Sequence, residues 1–197
     1  MHEEEVVELE DESPSASKLF RDWIFVIVVA LGAAMLVRVF VLQQFYISGP
    51  SMETSLFQDD RVLVNKLSYR LHDVNRGDVI VFDRVTTSGG IVEHDDLIKR
   101  VIAVGGDSIQ IKQCEVLVNG TPIEEPYLDL VVEGEDLNSR CRVVDMPSLT
   151  VPEDQLFVMG DNRAESFDSR SFGPIPDKLV IGRAFAVVWP LGSLRWL

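Results

Sequence analysis

Two side chains in this sequence are placed to do covalent chemistry together. Ser51 stands in Ser48-Gly49-Pro50-Ser51-Met52-Glu53-Thr54-Ser55, where Pro50 fixes its own φ and biases Gly49 away from helix, so the segment bends and displays a hydroxyl. A neutral hydroxyl is a poor nucleophile without an adjacent base. Two candidate bases follow in the chain. Lys99 lies in Asp96-Leu97-Ile98-Lys99-Arg100-Val101-Ile102-Ala103-Val104, among enough apolar residues to be partly desolvated, and His94 lies five residues earlier in a polar stretch. For Lys99 to accept a proton near neutral pH its pKa must fall by about 2 to 3 units, which burial alone can supply. Each segment has an ordinary reading as well: a turn with common serines, and a surface strand with an exposed Lys-Arg pair.

A third stretch, Gly160-Asp161-Asn162-Arg163-Ala164-Glu165-Ser166-Phe167-Asp168-Ser169-Arg170, packs polar residues between an apolar strand and a Gly-Pro turn. It reads as a loop pinned by its own hydrogen bonds and ion pairs. Two apparent motifs do not hold. Ser15-Ala16-Ser17-Lys18 has the S-x-x-K spacing, but neither Ser-Asp-Asn nor Lys-Thr-Gly accompanies it, and Gly49-Pro50-Ser51-Met52-Glu53 lacks the second glycine of a nucleophile elbow.

The elements that must position these residues follow from patterning. Trp23 to Leu42 is apolar but for Arg38, giving about 30 Å of helix, enough to span a bilayer, with Arg38 near enough to its end to snorkel. Lys18 and Arg21 precede the span and no Lys or Arg follows Leu42 until Arg61, so the N-terminus is expected in the cytoplasm and the bulk outside. No clear small-x-small cleavage site follows the run, which makes it an uncleaved anchor rather than a signal peptide. Beyond it, short β-branched bursts at Val62 to Val64, Val79 to Phe82, Leu97 to Val104, Ser108 to Ile111, Glu115 to Val118, Gln155 to Met159 and Val180 to Trp189 predict strands. Asn119-Gly120 predicts a tight hairpin whose second arm, holding Pro122, lies at an edge. The expected fold is mostly β: residues 1–21 a cytoplasmic acidic disordered tail, 22–42 a transmembrane helix, and 43–197 an exported β-rich catalytic domain with a smaller β insertion over about 108–154.

Composition removes several function classes. A formal net charge of -14 argues against nucleic acid as a partner. The first 17 residues hold seven of the acids, Glu3, Glu4, Glu5, Glu8, Glu10, Asp11 and Glu12, without a Lys or Arg, and read as a solvated terminus. His2, His72 and His94 form no metal-spaced pair, and two cysteines make neither a four-ligand zinc site nor a CxxC motif. No cofactor and no metal are expected. A bridge between Cys114 and Cys141 is open if the domain is exported, and the sequence does not settle whether they meet. Nor does it settle the oligomeric state.

Taken together and in order, the apolar anchor with Arg38, Gly49-Pro50-Ser51-Met52, Arg76-Gly77-Asp78-Val79-Ile80-Val81-Phe82, Lys99 through Asp107, and Gly160-Asp161-Asn162-Arg163 through Ser169-Arg170 resemble bacterial type I signal peptidases. The resemblance runs from the anchor to the end of the chain. It implies a membrane-bound serine endopeptidase that cleaves the signal peptides of secretory preproteins after a small-x-small sequence. Ser51 would be the nucleophile and Lys99 the general base. Ser166 would orient the lysine, Asp161 and Arg100 would form a supporting ion pair, and Asp168 and Arg170 would support the loop. Two positions depart from the family pattern: Gly49 replaces a serine whose hydroxyl serves the oxyanion hole in some members, leaving chiefly the Ser51 backbone N–H, and Thr54-Ser55 stands where Pro-Thr is usual. His94 as base, an inactive homologue that binds signal peptides without cutting, and a self-cleaving repressor-like protein are the competing readings. The last lacks a DNA-binding module.

Overall fold

A computed structural model describes residues 16–88, 91–128 and 140–197. The chain divides into two compact units, residues 1–39 and 40–197. In the first, a single helix α1 (Ala16–Phe40) carries the apolar run. Its segment Ser17–Leu36 has a mean hydropathy of 2.0 and none of it is buried within the protein, so by length and composition α1 can cross a membrane. It begins six residues before the expected 22 and stops at Phe40. The apolar pattern continues without a break from Val41 to Leu42, but Leu42 already belongs to a strand that pairs with residues 61–65. The acidic tail to residue 15 lies outside the described residues.

The second unit is built on antiparallel sheets, as the β-branched bursts predict. The larger sheet has eight strands: β1 (Leu42–Tyr46), β2 (Arg61–Asn65), β3 (Val79–Ser88), β4 (Ile91–Val104), β9 (Gln155–Met159), β10 (Ile175–Pro176), β11 (Val180–Trp189) and β12 (Arg195–Trp196). They run in the order β1-β2-β11-β3-β4-β9-β10, with β12 beside β11. The smaller sheet, β7-β6-β5-β8, comprises β5 (Ser108–Lys112), β6 (Glu115–Val118), β7 (Thr121–Pro122) and β8 (Met146–Thr150), and is the expected insertion. Asn119 and Gly120 both have positive φ, 53° and 78°, as a two-residue type I′ turn requires, and Pro122 sits on the edge strand. Among the described residues the unit also holds the short α-helices α2 (Ser68–Leu71) and α3 (Ser169–Phe172).

Among the described residues the core is made of three buried clusters, one of which links the two sheets while another fixes the strand that carries Lys99. Ile80, Phe82, Val101, Leu156 and Val158 form one cluster across β3, β4 and β9. Ile47, Met52, Leu56, Val62, Val64 and Val187 form another beneath the bend that holds Ser51. Burying a side chain such as Leu56 or Phe82, each 0 % exposed, contributes about 1.5–3 kcal/mol. Met52 and Leu56 thus anchor the turn that holds Ser51 to the sheet. Asp107 joins the two sheets: it takes both donors of Arg76, the Val104 N–H and the Asn119 side-chain amide. Cys114 and Cys141 form a disulfide that closes the insertion across 27 residues.

Candidate active site

Lys99 and Ser51 are brought together from 48 residues apart in sequence. The Lys99 Nζ lies 2.8 Å from Ser51 Oγ and 2.9 Å from its own neighbour's carbonyl, Ile98 O. In register, Lys99 pairs with Ile80 of β3 and Arg100 with Val79, so the two cations point to opposite faces of the strand. Both faces are covered: Lys99 is 2 % and Arg100 7 % exposed. Burial lowers the Lys99 pKa to about 8, against the attraction of Asp168 and Asp161, which pull it upward. A buried amine at that value is a competent proton acceptor near neutral pH.

Arg100 is held by a forked pair to Asp161, at 2.9 and 2.6 Å, and donates to Gly77 O at 2.9 Å. Its guanidinium also lies 3.9 Å over the ring of Tyr127, a cation–π contact. Asp161 therefore spends its charge on Arg100. The Gly77 carbonyl is available because Gly77 has a φ of 90°, a backbone that Gly adopts freely. This explains the Arg76-Gly77-Asp78 box physically: Arg76 ties to Asp107, Gly77 receives Arg100, and Asp78 accepts from Tyr69 and pairs with Arg183.

The loop from 160 to 170 packs against Ser51. Asn162 N–H donates to Ser51 O at 3.2 Å, and Ser166 N–H to Asn162 O. Asp168 caps α3 by accepting from the Arg170 N–H, accepts from Gly160 N–H at 3.0 Å, and is gripped by Arg170 at 2.8 Å on each oxygen. Burial opposes its ionisation, yet these donors hold the Asp168 carboxyl below the usual carboxylate range. A side chain at Gly160 would put its Cβ 2.2 Å from Ser51 O and 2.3 Å from Ser166 Oγ, so this position admits only glycine. Ser166 is fully buried beside them, and its hydroxyl makes no hydrogen bond of ordinary geometry among the described residues, although it lies near enough to Asp168 to favour that charge. Lys99 donates to Ser51 and Ile98 rather than to Ser166.

Gly49 has a φ of 95°, a conformation that L side chains rarely adopt. Its N–H donates to the Gln58 side chain at 2.9 Å. Ser51 N–H donates to no group among the described residues and is free to meet an oxyanion. His94 is 62 % exposed at the side chain, pairs with Asp83 at 2.7 Å and aligns with Val85 on β3, five strand residues or about 16 Å from Lys99. It has the acidic partner that the sequence did not reveal, but not the position.

The sequence did not single out Glu125 and Tyr127, and it marked Thr54 only as a departure from the family pattern, with no partner. Glu125 pairs with Arg163, Tyr127 donates to Glu125, and Thr54 Oγ1 donates to Tyr127 O at 2.8 Å. They pin the return of the insertion onto the turn that holds Ser51. The one available signal was indirect: Arg163, 7 % exposed, needs a carboxylate from elsewhere in the chain.

A family model described as signal peptidase, peptidase S26, matches residues 20–189. The chain belongs to that family. Within it, the chain is 34 % identical over 183 residues to a probable signal peptidase I-2 of Synechocystis sp., covering 91 % of this chain and 78 % of the relative. It is 31 % identical over 187 residues to a signal peptidase I of Bacillus amyloliquefaciens, covering 94 % and 97 %. A crystal structure of a signal peptidase I from Enterococcus faecalis V583 aligns with a TM-score of 0.45 at 29 % identity, over 57 % of this chain and 97 % of that one. Peptidase S26 proteins are serine endopeptidases, and the enzyme class of this chain is theirs.

Proposed function

We propose that this protein is a membrane-anchored signal peptidase that cuts secretory preproteins with a Ser51/Lys99 dyad. The observation that carries this reading is the 2.8 Å approach of a buried lysine Nζ to Ser51 Oγ. As Ser51 Oγ attacks the scissile carbonyl, the neutral Lys99 amine takes its proton, and the Ser51 N–H meets the oxygen that becomes negative. The lysine then protonates the departing amine. Water, activated by the same amine, releases the acyl enzyme. The Arg100–Asp161 pair and the Asp168–Arg170 pair hold the loop and strand that set this geometry, without touching the reacting atoms.

α1 serves as the anchor, with residues 1–15 and its first turns on the cytoplasmic side and residues from 43 onward outside, following the Lys18 and Arg21 bias. Exposed Trp189, Leu191, Leu194 and Trp196 fit a catalytic unit that works against lipid. Only nine residues separate Leu42 from Ser51, at most about 30 Å of chain, which keeps the nucleophile within reach of the bilayer surface. The substrates are preproteins whose signal ends in a small-x-small sequence.

The test is incubation of the detergent-solubilised full chain with such a preprotein, followed by sequencing of the product's new N-terminus. A single cut directly after the small-x-small sequence supports the reading. A preprotein that is bound but never cut, or cut elsewhere, contradicts it.

A further inference from the structure

Within residues 40–197, a cleft gathers cations beside Val41. An open cleft of ≈ 350 Å³ is lined by Lys66, Tyr69 and Arg70 around α2, and by Asp177, Lys178 and Val180 at the start of β11. The cations are the anomaly. In a chain of net charge -14 with only 18 Lys and Arg, three converge here, and none of them makes an ion pair within 4.0 Å among the described residues. Asp73 and Asp177 line the same cleft and are likewise unpaired. Three positive groups against two negative ones leave the cleft with one net positive charge.

We infer that this cleft binds the phosphate of an anionic phosphodiester, and that in the cell this is a phospholipid headgroup. The charge fits: a phosphodiester carries a single negative charge, and a polyanion would meet the two carboxylates. The chemistry fits as well. Arg70 offers a planar fork to two phosphate oxygens, and Lys66 and Lys178 add mobile point charges. Position selects the lipid over a free ion. Lys66 N–H donates to Val41 O at 2.9 Å, and the preceding Asn65 pairs with Leu42. Val41 follows directly on Phe40, the last residue of α1, so one wall of the cleft is bonded to the residue that emerges from the proposed span. Cationic side chains at that depth meet the negative surface of the membrane.

The inference rests on the membrane-anchored reading above, and its test does not read activity. The full chain is placed in nanodiscs of phosphatidylcholine, with or without phosphatidylglycerol, and its lysines are acetylated with a water-soluble reagent and quantified by mass spectrometry. Lys66 and Lys178 are expected to react about five-fold more slowly in the phosphatidylglycerol discs, while exposed Lys112 on the smaller sheet reacts at the same rate in both. Arg70→Gln, which lies outside the catalytic groups, is expected to abolish the difference. Protection in phosphatidylcholine discs by soluble glycerophosphoglycerol would support the same phosphate site with a free ligand as its source. Absence of protection in either arm, equal protection of Lys112, or protection that survives Arg70→Gln would overturn the cleft. Preprotein cleavage by the same discs is scored alongside. Discs that cut but show no protection reject the cleft alone, and a chain that fails to enter discs rejects the anchor.

Discussion

Lys99 is the residue on which the proposed chemistry turns, and its environment sets two opposite requirements. Burial that lowers its pKa to about 8 also destabilises the fold while the amine is charged. An unfolded lysine titrates near 10.4, so the penalty is fully present below about pH 8 and relaxes as pH rises from about 8 to 10.4, with a ceiling of roughly 3 kcal/mol. Lys99→Met should therefore unfold at a higher denaturant midpoint than the wild type at pH 7, by about 1–3 kcal/mol, and both should converge above pH 10. Activity has the reverse sign. The amine must be neutral to accept the Ser51 proton, so kcat/KM should climb about tenfold per pH unit below an apparent pKa near 8 and level off above it. Chemistry that used His94 as its base would instead lose its acid limb when that ring is replaced. A profile on His94→Gln enzyme that keeps its limb near 8 is the expected outcome.

At the scale of elements, the loop from Gly160 to Arg170 works as a clamp whose parts are close-packed rather than adjustable. Gly160→Ala forces its Cβ onto Ser51 O, and overpacking of this kind costs about 1–3 kcal/mol. Because it displaces the nucleophile itself, kcat should drop about 10²-fold, with little change in KM, as steady-state kinetics on a short signal-sequence peptide would show. The Arg100–Asp161 pair is almost wholly buried, and Asp161→Asn leaves a guanidinium short of charge in an apolar site. Loss of about 3–5 kcal/mol in chemical unfolding is expected, larger than for any exposed charge on the insertion. The insertion is held from both ends, by the disulfide and by Glu125 on Arg163. The Cys114→Ser, Cys141→Ser double variant should lose about 3.5 kcal/mol, the loop-closure value for a bridge of this span.

Across the whole molecule, legibility followed locality. Strands β5, β6, β9 and β11 were readable because each is a β-branched burst bounded by Gly, Asn, Asp or Pro, and the β6–β7 turn because Asn119-Gly120 admits few other conformations. β1 was hidden by apolar continuity: Val41 and Leu42 extend the pattern of α1, and only the sheet partner, β2, decides that Leu42 is extended. β8 was missed since Met146-Pro147-Ser148-Leu149-Thr150 carries a proline and no run of β-branched residues. The approach of Ser51 and Lys99, the proposed nucleophile and base, was legible from order along the chain and family likeness. The supports supplied by Glu125, Tyr127 and Thr54 were not, because their partners lie 38, 27 and 73 residues away and nothing local marks the pairing.

The most direct test of the dyad is turnover of a preprotein by the full chain in a bilayer, compared between wild type, Ser51→Ala and Lys99→Ala under single-turnover conditions at pH 9, above the Lys99 pKa. Both variants should keep the wild-type circular dichroism spectrum and lose at least about 10⁴ in rate, as expected when either member of a nucleophile–base pair is removed. Cleavage by Lys99→Ala within about tenfold of wild type would contradict the account, since no other base stands within reach of Ser51 among the described residues.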